Sequence, residues 1–440
     1  MKIPAHQRFQ LESGVRLILL PRHEVPLIAV EAVVRGGARL DPPDRAGVAS
    51  ITAEMLTRGA GERDAFEFVE AVEGAGGSLD AASHSEAILL HGQFLARDRA
   101  LLLELLADAL QRPRFDPDEL EGVRERRIEF IKAAKDSEPQ SLIGSYGRAL
   151  LFHAHPFGQP ISGSERSLAE ITPAELERYH REQIGADRLT LVFGGDFDPR
   201  ELLPEVARAF GGWRLAAAPL PPLAAPARVH GRRVLLVDAP GSAQTYFWIG
   251  NTGVARGYAH RAALEITNTA FGGSFGSMLM QALRIKSGLT YSAGSSFRRG
   301  SVPAEFAISS FTEVQSTSRA LEIALETLDR LKHQGADARA LDSARSYIQG
   351  QYPLNFETAA DWAGALADLD LHGLPESYID DYSSALDRVD AVQSRQVIDE
   401  AFPDSRDVDI VLIGDAARIR TEARAFGPLT ERALAAPEFA

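Results

Sequence analysis

The chain reads as an α+β protein built from two tandem homologous domains, and three observations carry that reading. Its 440 residues exceed what one ordinary hydrophobic core organises, so two domains or more are expected. An uncharged Pro/Ala-rich stretch, Leu215 to Ala227, lies at the midpoint and has the composition of a semi-rigid extended linker. Segments on either side repeat at nearly one offset. Leu189 to Asp196 is answered by Val408 to Asp415, each an apolar run closing on Gly-Asp, with the aspartates 219 positions apart. The strand Ile88 to Leu95 followed by Arg99-Ala-Leu is answered by the strand Glu305 to Phe311 followed by Arg319-Ala-Leu, 220 positions on.

Taken in order, Val15 to Leu20 and Ile28 to Val34 are largely apolar and open the first half as strands. Between Gly47 and Gly59, Val48, Ile51 and Met55 recur at helical spacing and predict a helix with a core-facing stripe. Gly76-Gly77 precedes further strands, a long helical region follows, and Ile171-Thr-Pro-Ala-Glu-Leu leads through a helix to the strand ending at Asp196. Beyond the linker the second half runs through the same order, which is a layer of helices on a sheet, built twice. The expected boundaries are 1–214, a linker over 215–230, and 231–440.

Composition narrows the function. A net charge of −14 argues against nucleic acid as the main partner, because phosphate neutralisation needs concentrated Lys and Arg, and an acidic surface favours basic peptides or a basic partner protein. With 45% hydrophobic and 25% charged residues and no apolar run of roughly 18, no membrane span is expected. The absence of cysteine removes disulfides, thiolate catalysis and Cys-based metal sites. The opening Met-Lys-Ile-Pro-Ala-His-Gln has no apolar signal-peptide core, and the compartment stays open between cytoplasm and periplasm.

The segment Gly47 to Gly59 has the outline of an inverted zinc-peptidase helix. Such helices carry His-x-x-Glu-His, whose first, fourth and fifth residues share one face, so that two imidazoles grip zinc while the glutamate activates water. Here those positions are Ser50, Ala53 and Glu54, and the apolar stripe lies about 140° around the helix from them. Other histidines offer no substitute site: His153 and His155 form a lone His-x-His, and His84 and His91, seven apart on a strand-like stretch, are expected on opposite faces.

A duplicated α+β chain with this degenerate helix resembles the insulinase/pitrilysin family, which includes the mitochondrial processing peptidase and bacterial two-subunit zinc peptidases. The resemblance covers nearly the whole chain. Its further segments are Arg58-Gly59-Ala60, Gly76 to Ala81, His155-Pro-Phe-Gly158, Gly272-Gly-Ser-Phe-Gly-Ser277 and, most specifically, Leu283-Arg284-Ile-Lys-Ser-Gly-Leu-Thr-Tyr291-Ser292. It implies two tandem domains, each a mostly antiparallel sheet packed on helices. It also implies a third zinc ligand, a glutamate, from a downstream helix, and the matching position here is Ile131, with Glu129 in reach of a two-residue slip. Since zinc takes about three protein ligands plus water, this chain is expected to hold no metal and no other cofactor.

The resemblance assigns the remaining chemistry to Arg284 and Tyr291, the family's C-terminal Arg/Tyr pair. A helix beginning after Gly276 and a break at Ser287-Gly288 bring both side chains toward one cleft. Attack on a peptide carbonyl puts negative charge on oxygen, which a phenol and a guanidinium stabilise. The expected role is that of a zinc-lacking subunit in a heterodimeric zinc endopeptidase, not active alone, whose homologous partner supplies zinc and general base. Tyr291 would serve the carbonyl and Arg284 would orient Tyr291 or the peptide. The alternative is a catalytically inert scaffold subunit of a larger complex. The family's substrate-receiving edge strand near Gly76-Gly77 is retained, but Asp80 stands where the family often has Asn, and that strand is not counted as a site.

Overall fold

The computed structural model describes residues 1–439. It contains two six-stranded sheets. The first comprises β1 (Gln7–Gln10), β2 (Arg16–Pro21), β3 (Leu27–Arg35), β4 (Ser78–Ser83), β5 (Ala87–Leu95) and β6 (Leu189–Gly195) in the order β1-β2-β6-β3-β5-β4. Only β2 and β6 run parallel. β6 is buried along its whole length, which suits its apolar Leu-Thr-Leu-Val-Phe run at the middle of the sheet.

The second sheet comprises β7 (Arg233–Asp238), β8 (Gln244–Thr252), β9 (Ala293–Arg299), β10 (Pro303–Glu313), β11 (Asp409–Gly414) and β12 (Leu429–Ala433) in the order β12-β7-β11-β8-β10-β9. Five strands repeat the arrangement of the first sheet, with β7, β8, β9, β10 and β11 standing for β2, β3, β4, β5 and β6. The sixth differs: β1 comes from the start of the chain and pairs antiparallel, whereas β12 comes from its end and pairs parallel to β7. The α+β class, the duplication and the mostly antiparallel sheets thus hold, and both Gly-Asp echoes close the central strands β6 and β11.

The compact units interleave the chain rather than following its consecutive halves. One unit gathers Met1–Phe130, Gln159–Pro222 and Pro353–Asp380; the other gathers Ile131–Gly158, Leu223–Tyr352 and Asp381–Ala440. Within the first, the helix Ala359–His372 lays Trp362, Leu366 and Leu369 on Ile18, Leu20, Val33 and Val192 of the first sheet. Gly194 admits it, because a Cβ there would stand 2.5 Å from the Ala359 carbonyl oxygen. Within the second, the helix Ile143–Phe152 lays Tyr146, Ala149 and Phe152 in one core with Leu235, Val237, Trp248 and Val411. The indole of Trp248 fills the place of a Gly147 side chain, with ring atoms 2.6 Å from where a Cβ would be. The stretch 215–227 contains no helix or strand.

Candidate functional site

In the first unit the degenerate motif lies on the helix Val48–Met55. Its entry is unusual: the cap residue Gly47 takes φ +98°, and a Cβ there would meet the Gly163 Cα at 2.9 Å, so only glycine fits. Gly47 offers no capping side chain, and the buried carboxylate of Asp41 serves instead, accepting from the amides of Gly47 and Ala49 at 2.8 Å each. Burial pushes that carboxyl up to about 7 against the pull of the two amides. The expected apolar stripe is present, with Val48, Ile51 and Met55 buried, but Ser50 and Ala53 are buried as well, so the helix is enclosed on both faces and only Glu54 reaches partial exposure.

What meets the motif face is an arginine. Arg127, on the long helix Pro117–Ser137, donates to Glu54 Oε2 from Nε at 2.9 Å and Nη2 at 2.7 Å, to Ser50 Oγ from Nη1 at 2.7 Å, and to the Ser50 carbonyl from Nη2 at 3.2 Å. Arg126 and Arg58 approach the other carboxylate oxygen, Oε1, at 3.5 and 3.6 Å. Ile131, at the third-ligand position, is buried one helical turn beyond Arg127, and exposed Glu129 projects from another face about 200° around. This donor set does not fit zinc: of the three ligand positions Ile131 has no donor atom and the Ser50 hydroxyl and Glu54 carboxylate are both engaged by the Arg127 guanidinium, while Ala53 leaves no side chain to act as general base. Among the described residues no three His, Cys, Asp or Glu side chains gather as a metal cluster.

The Arg127 contact was not foreseen from sequence. A signal was present in the Arg126-Arg127 pair one turn before the vacated ligand position, since a Glu left on a half-enclosed face needs a compensating cation.

The other histidines are structural. His153 Nε2 accepts from Arg233, and His155 accepts the Phe157 amide at Nδ1 (3.1 Å) while its Nε2 donates to the Ala224 carbonyl (2.9 Å). His84 sits in the turn between β4 and β5, not on a strand, so the expected opposition of faces with His91 does not arise. His91 Nδ1 pairs with Glu31 at 2.9 Å across β5 and β3, a hydrogen bond that raises its pKa.

In the second unit the Arg/Tyr pair is assembled by a helix that does not stay α-helical. Ser277 caps a short turn, Met278–Met280, which continues as a wider π-helical turn over Gln281–Lys286 carrying Arg284. Such wide turns recur at functional sites. Gly288, at φ +65°, ends it with its amide on the Arg284 carbonyl (3.0 Å) and Leu289 on Leu283 (2.9 Å). The chain then bends back through Tyr291 into β9. Tyr291 lies before the strand and is 72% exposed. The Arg284 guanidinium stacks 4.3 Å from the Tyr291 ring centre and 5.0 Å from that of Phe275, which is 62% exposed on the glycine-rich segment. The helix Arg261–Asn268 that leads toward that segment is tied to β9, where Asn268 donates to the Ser295 carbonyl and accepts from its hydroxyl. Among the described residues no carboxylate pairs with Arg284 and nothing bonds the Tyr291 hydroxyl, so the cation is held by its faces and its N–H edges stay available. Nothing in the sequence alone gives Phe275 a part in the site.

Two family profiles match the chain, the insulinase (peptidase family M16) domain over residues 18–165 and the peptidase M16 inactive domain over residues 170–348. The chain belongs to the insulinase family, M16. An uncharacterised zinc protease of Mycobacterium bovis is 26% identical over 370 residues, 84% of each chain. The protein named non-peptidase homolog YmxG of Helicobacter pylori is 23% identical over 377 residues, 85% of each chain. Among solved structures, a peptidase M16 inactive domain from Pseudomonas fluorescens superposes with a TM-score of 0.86 at 22% identity, over 93% of this M16 chain and 98% of that one. A protease from Helicobacter pylori superposes at 0.84 with 18% identity, over 93% and 99%. Both show the shared fold.

Proposed function

We propose that this M16 chain is the zinc-lacking subunit of a heterodimeric zinc peptidase. A homologous His-x-x-Glu-His partner supplies zinc and the general base, and this chain supplies Arg284 and Tyr291 to a peptide-holding cleft. The observation that carries the reading is the retained pair itself: a guanidinium stacked near two exposed rings with its N–H edges unspent, one of those rings a phenol whose hydroxyl has no hydrogen-bond partner among the described residues. An inert surface has no need to hold an unpaired cation in register with a phenol. The degenerate motif, whose glutamate is committed to Arg127, supports the division of labour, as do relatives named zinc protease and one named non-peptidase homolog.

In that role Tyr291 donates its O–H toward the substrate carbonyl as charge develops on oxygen, and Arg284 orients Tyr291 and the peptide backbone. The test is cleavage of a mixed peptide pool by this chain, by a His-x-x-Glu-His homologue, and by the two mixed. Activity confined to the mixture is the expected result. A mixture no faster than the zinc-bearing chain alone overturns the proposal in favour of a scaffold.

A further inference from the structure

We infer that Phe275 is a positioning residue for the Arg284/Tyr291 site: its ring sets the direction of the Arg284 guanidinium and, through it, how tightly a peptide is held. The effect on peptide rests on the function proposed above, whereas the hold on Arg284 does not. The segment around Phe275 is fixed at both ends. On one side Phe271 is fully buried and packs its ring on Phe306 and Phe402, and Gly272 lies so close to β9 that a Cβ would stand 2.6 Å from the Ser295 amide nitrogen. On the other, Ser277 is buried and its hydroxyl caps the turn Met278–Met280. Between them the Ser277 amide donates to the Ser274 carbonyl at 3.1 Å, and the Ser274 hydroxyl donates to the Thr269 carbonyl at 3.2 Å. The result is a tight turn with Phe275 and Gly276 at its corner.

A phenyl ring presented at that corner and 62% exposed adds little to the core. What it meets is the Arg284 guanidinium, 5.0 Å from its centre and inside the range of a cation–π contact. Arg284 depends on such a contact. The wide turn fixes its backbone, but a long rotatable side chain separates the guanidinium from that backbone, and among the described residues no carboxylate directs the charge. The Tyr291 ring gives one support at 4.3 Å, yet it is itself largely exposed. Phe275 adds a second ring from a separately anchored segment. Both contacts engage the rings' faces and leave the N–H edges of Arg284 for a peptide.

The test takes two readings on the full chain and compares Phe275→Leu, which keeps apolar bulk and removes the ring, with Phe275→Tyr, which keeps the ring. The first is NMR of the chain with isotope-labelled arginine, in which the Arg284 Nε–H signal is assigned by its loss in Arg284→Lys. Ring currents displace that signal in the parent; Phe275→Leu should move it toward the position of an unstacked arginine, and Phe275→Tyr should leave it nearly in place. The second is turnover of the pair reconstituted with a His-x-x-Glu-His homologue. There Phe275→Leu should raise KM about two- to fivefold with kcat nearly unchanged, the pattern of lost substrate binding, and Phe275→Tyr should keep the parent KM. An Arg284 signal indifferent to Phe275→Leu overturns the inference whatever the pair does. A Leu variant with the parent KM overturns it as well, and so does a Tyr variant as impaired as the Leu variant, because the ring is then not what matters. A pair without activity overturns the function proposed above together with the effect on peptide, while the arginine signal still decides the hold on Arg284.

Discussion

Replacing Arg127 with Met removes the guanidinium that stands across the motif face and leaves Glu54 without its close partner. The Arg127 and Glu54 side chains are 23% and 25% exposed, so the pair is enclosed enough to escape most solvent screening. Hydrogen bonds to charged groups contribute about 1.5–3 kcal/mol each in favourable cases. Both donors reach the same oxygen, and Arg58 and Arg126 stand ready to close on the orphaned carboxylate, so the net loss is set near the low end, about 2 kcal/mol. For a unit of this size that is a fall of about 4–8 °C in the transition of the first unit. Urea titration and calorimetry read it directly. The double variant Arg127→Met, Glu54→Gln should recover at least half the loss, because the uncompensated charge is gone and the vacated space is apolar. A single variant within about 0.5 kcal/mol of the parent, or strictly additive losses in the double variant, would refute the view that this guanidinium does structurally what a metal does in a zinc-bearing relative.

Further outcomes follow from the same physics. His180 is held neutral, its pKa pushed down to about 4 by burial and by nearby Arg214, against the Leu110 carbonyl that accepts from Nε2. Its contribution is present above about 6.5, the unfolded value, and is lost as pH falls toward 4, on the order of 3 kcal/mol. His180→Gln should flatten that limb of the stability profile. Asp41 works oppositely, since its raised pKa favours the fold as pH falls from 7, so the difference between parent and variant is the quantity to compare. Gly47→Ala, forced against Gly163 at positive φ, should cost about 2 kcal/mol or more by denaturant titration. Gly147→Val should unseat the Ile143–Phe152 helix from Trp248, costing about 1–3 kcal/mol and changing tryptophan fluorescence.

The sequence disclosed the duplication because the apolar runs closing on Gly-Asp, at Asp196 and Asp415, mark the buried central strand of each sheet, and such strands tolerate little else. It did not disclose that Ile143–Phe152 and Ala359–His372 are assigned to units other than those of their half-chains. An amphipathic stripe says that a helix must be covered and not by which sheet, and the clue lay in a cross-half fit of Gly147 to Trp248 that no local pattern encodes. The loss of an imidazole at Ser50 and of the general-base glutamate at Ala53 was legible from helical spacing, whereas the third-ligand position, Ile131 with Glu129 as the alternative, rested on the family resemblance. The Arg127 substitution was not, because it joins residues 77 positions apart through a contact that spacing on one helix cannot reveal. Tyr291 was legible as a residue and not as a geometry: a wide turn and a left-handed glycine set its exposure, and Phe275 completes the stack from a separate segment.

The most direct test of the central claim is the steady-state turnover of the reconstituted pair, this chain with a His-x-x-Glu-His homologue, comparing parent with Tyr291→Phe. The account predicts a fall in kcat of about a hundredfold with zinc content and pairing unchanged, as expected for a lost donor to a developing oxyanion. Unchanged kcat would contradict it and leave this chain a scaffold.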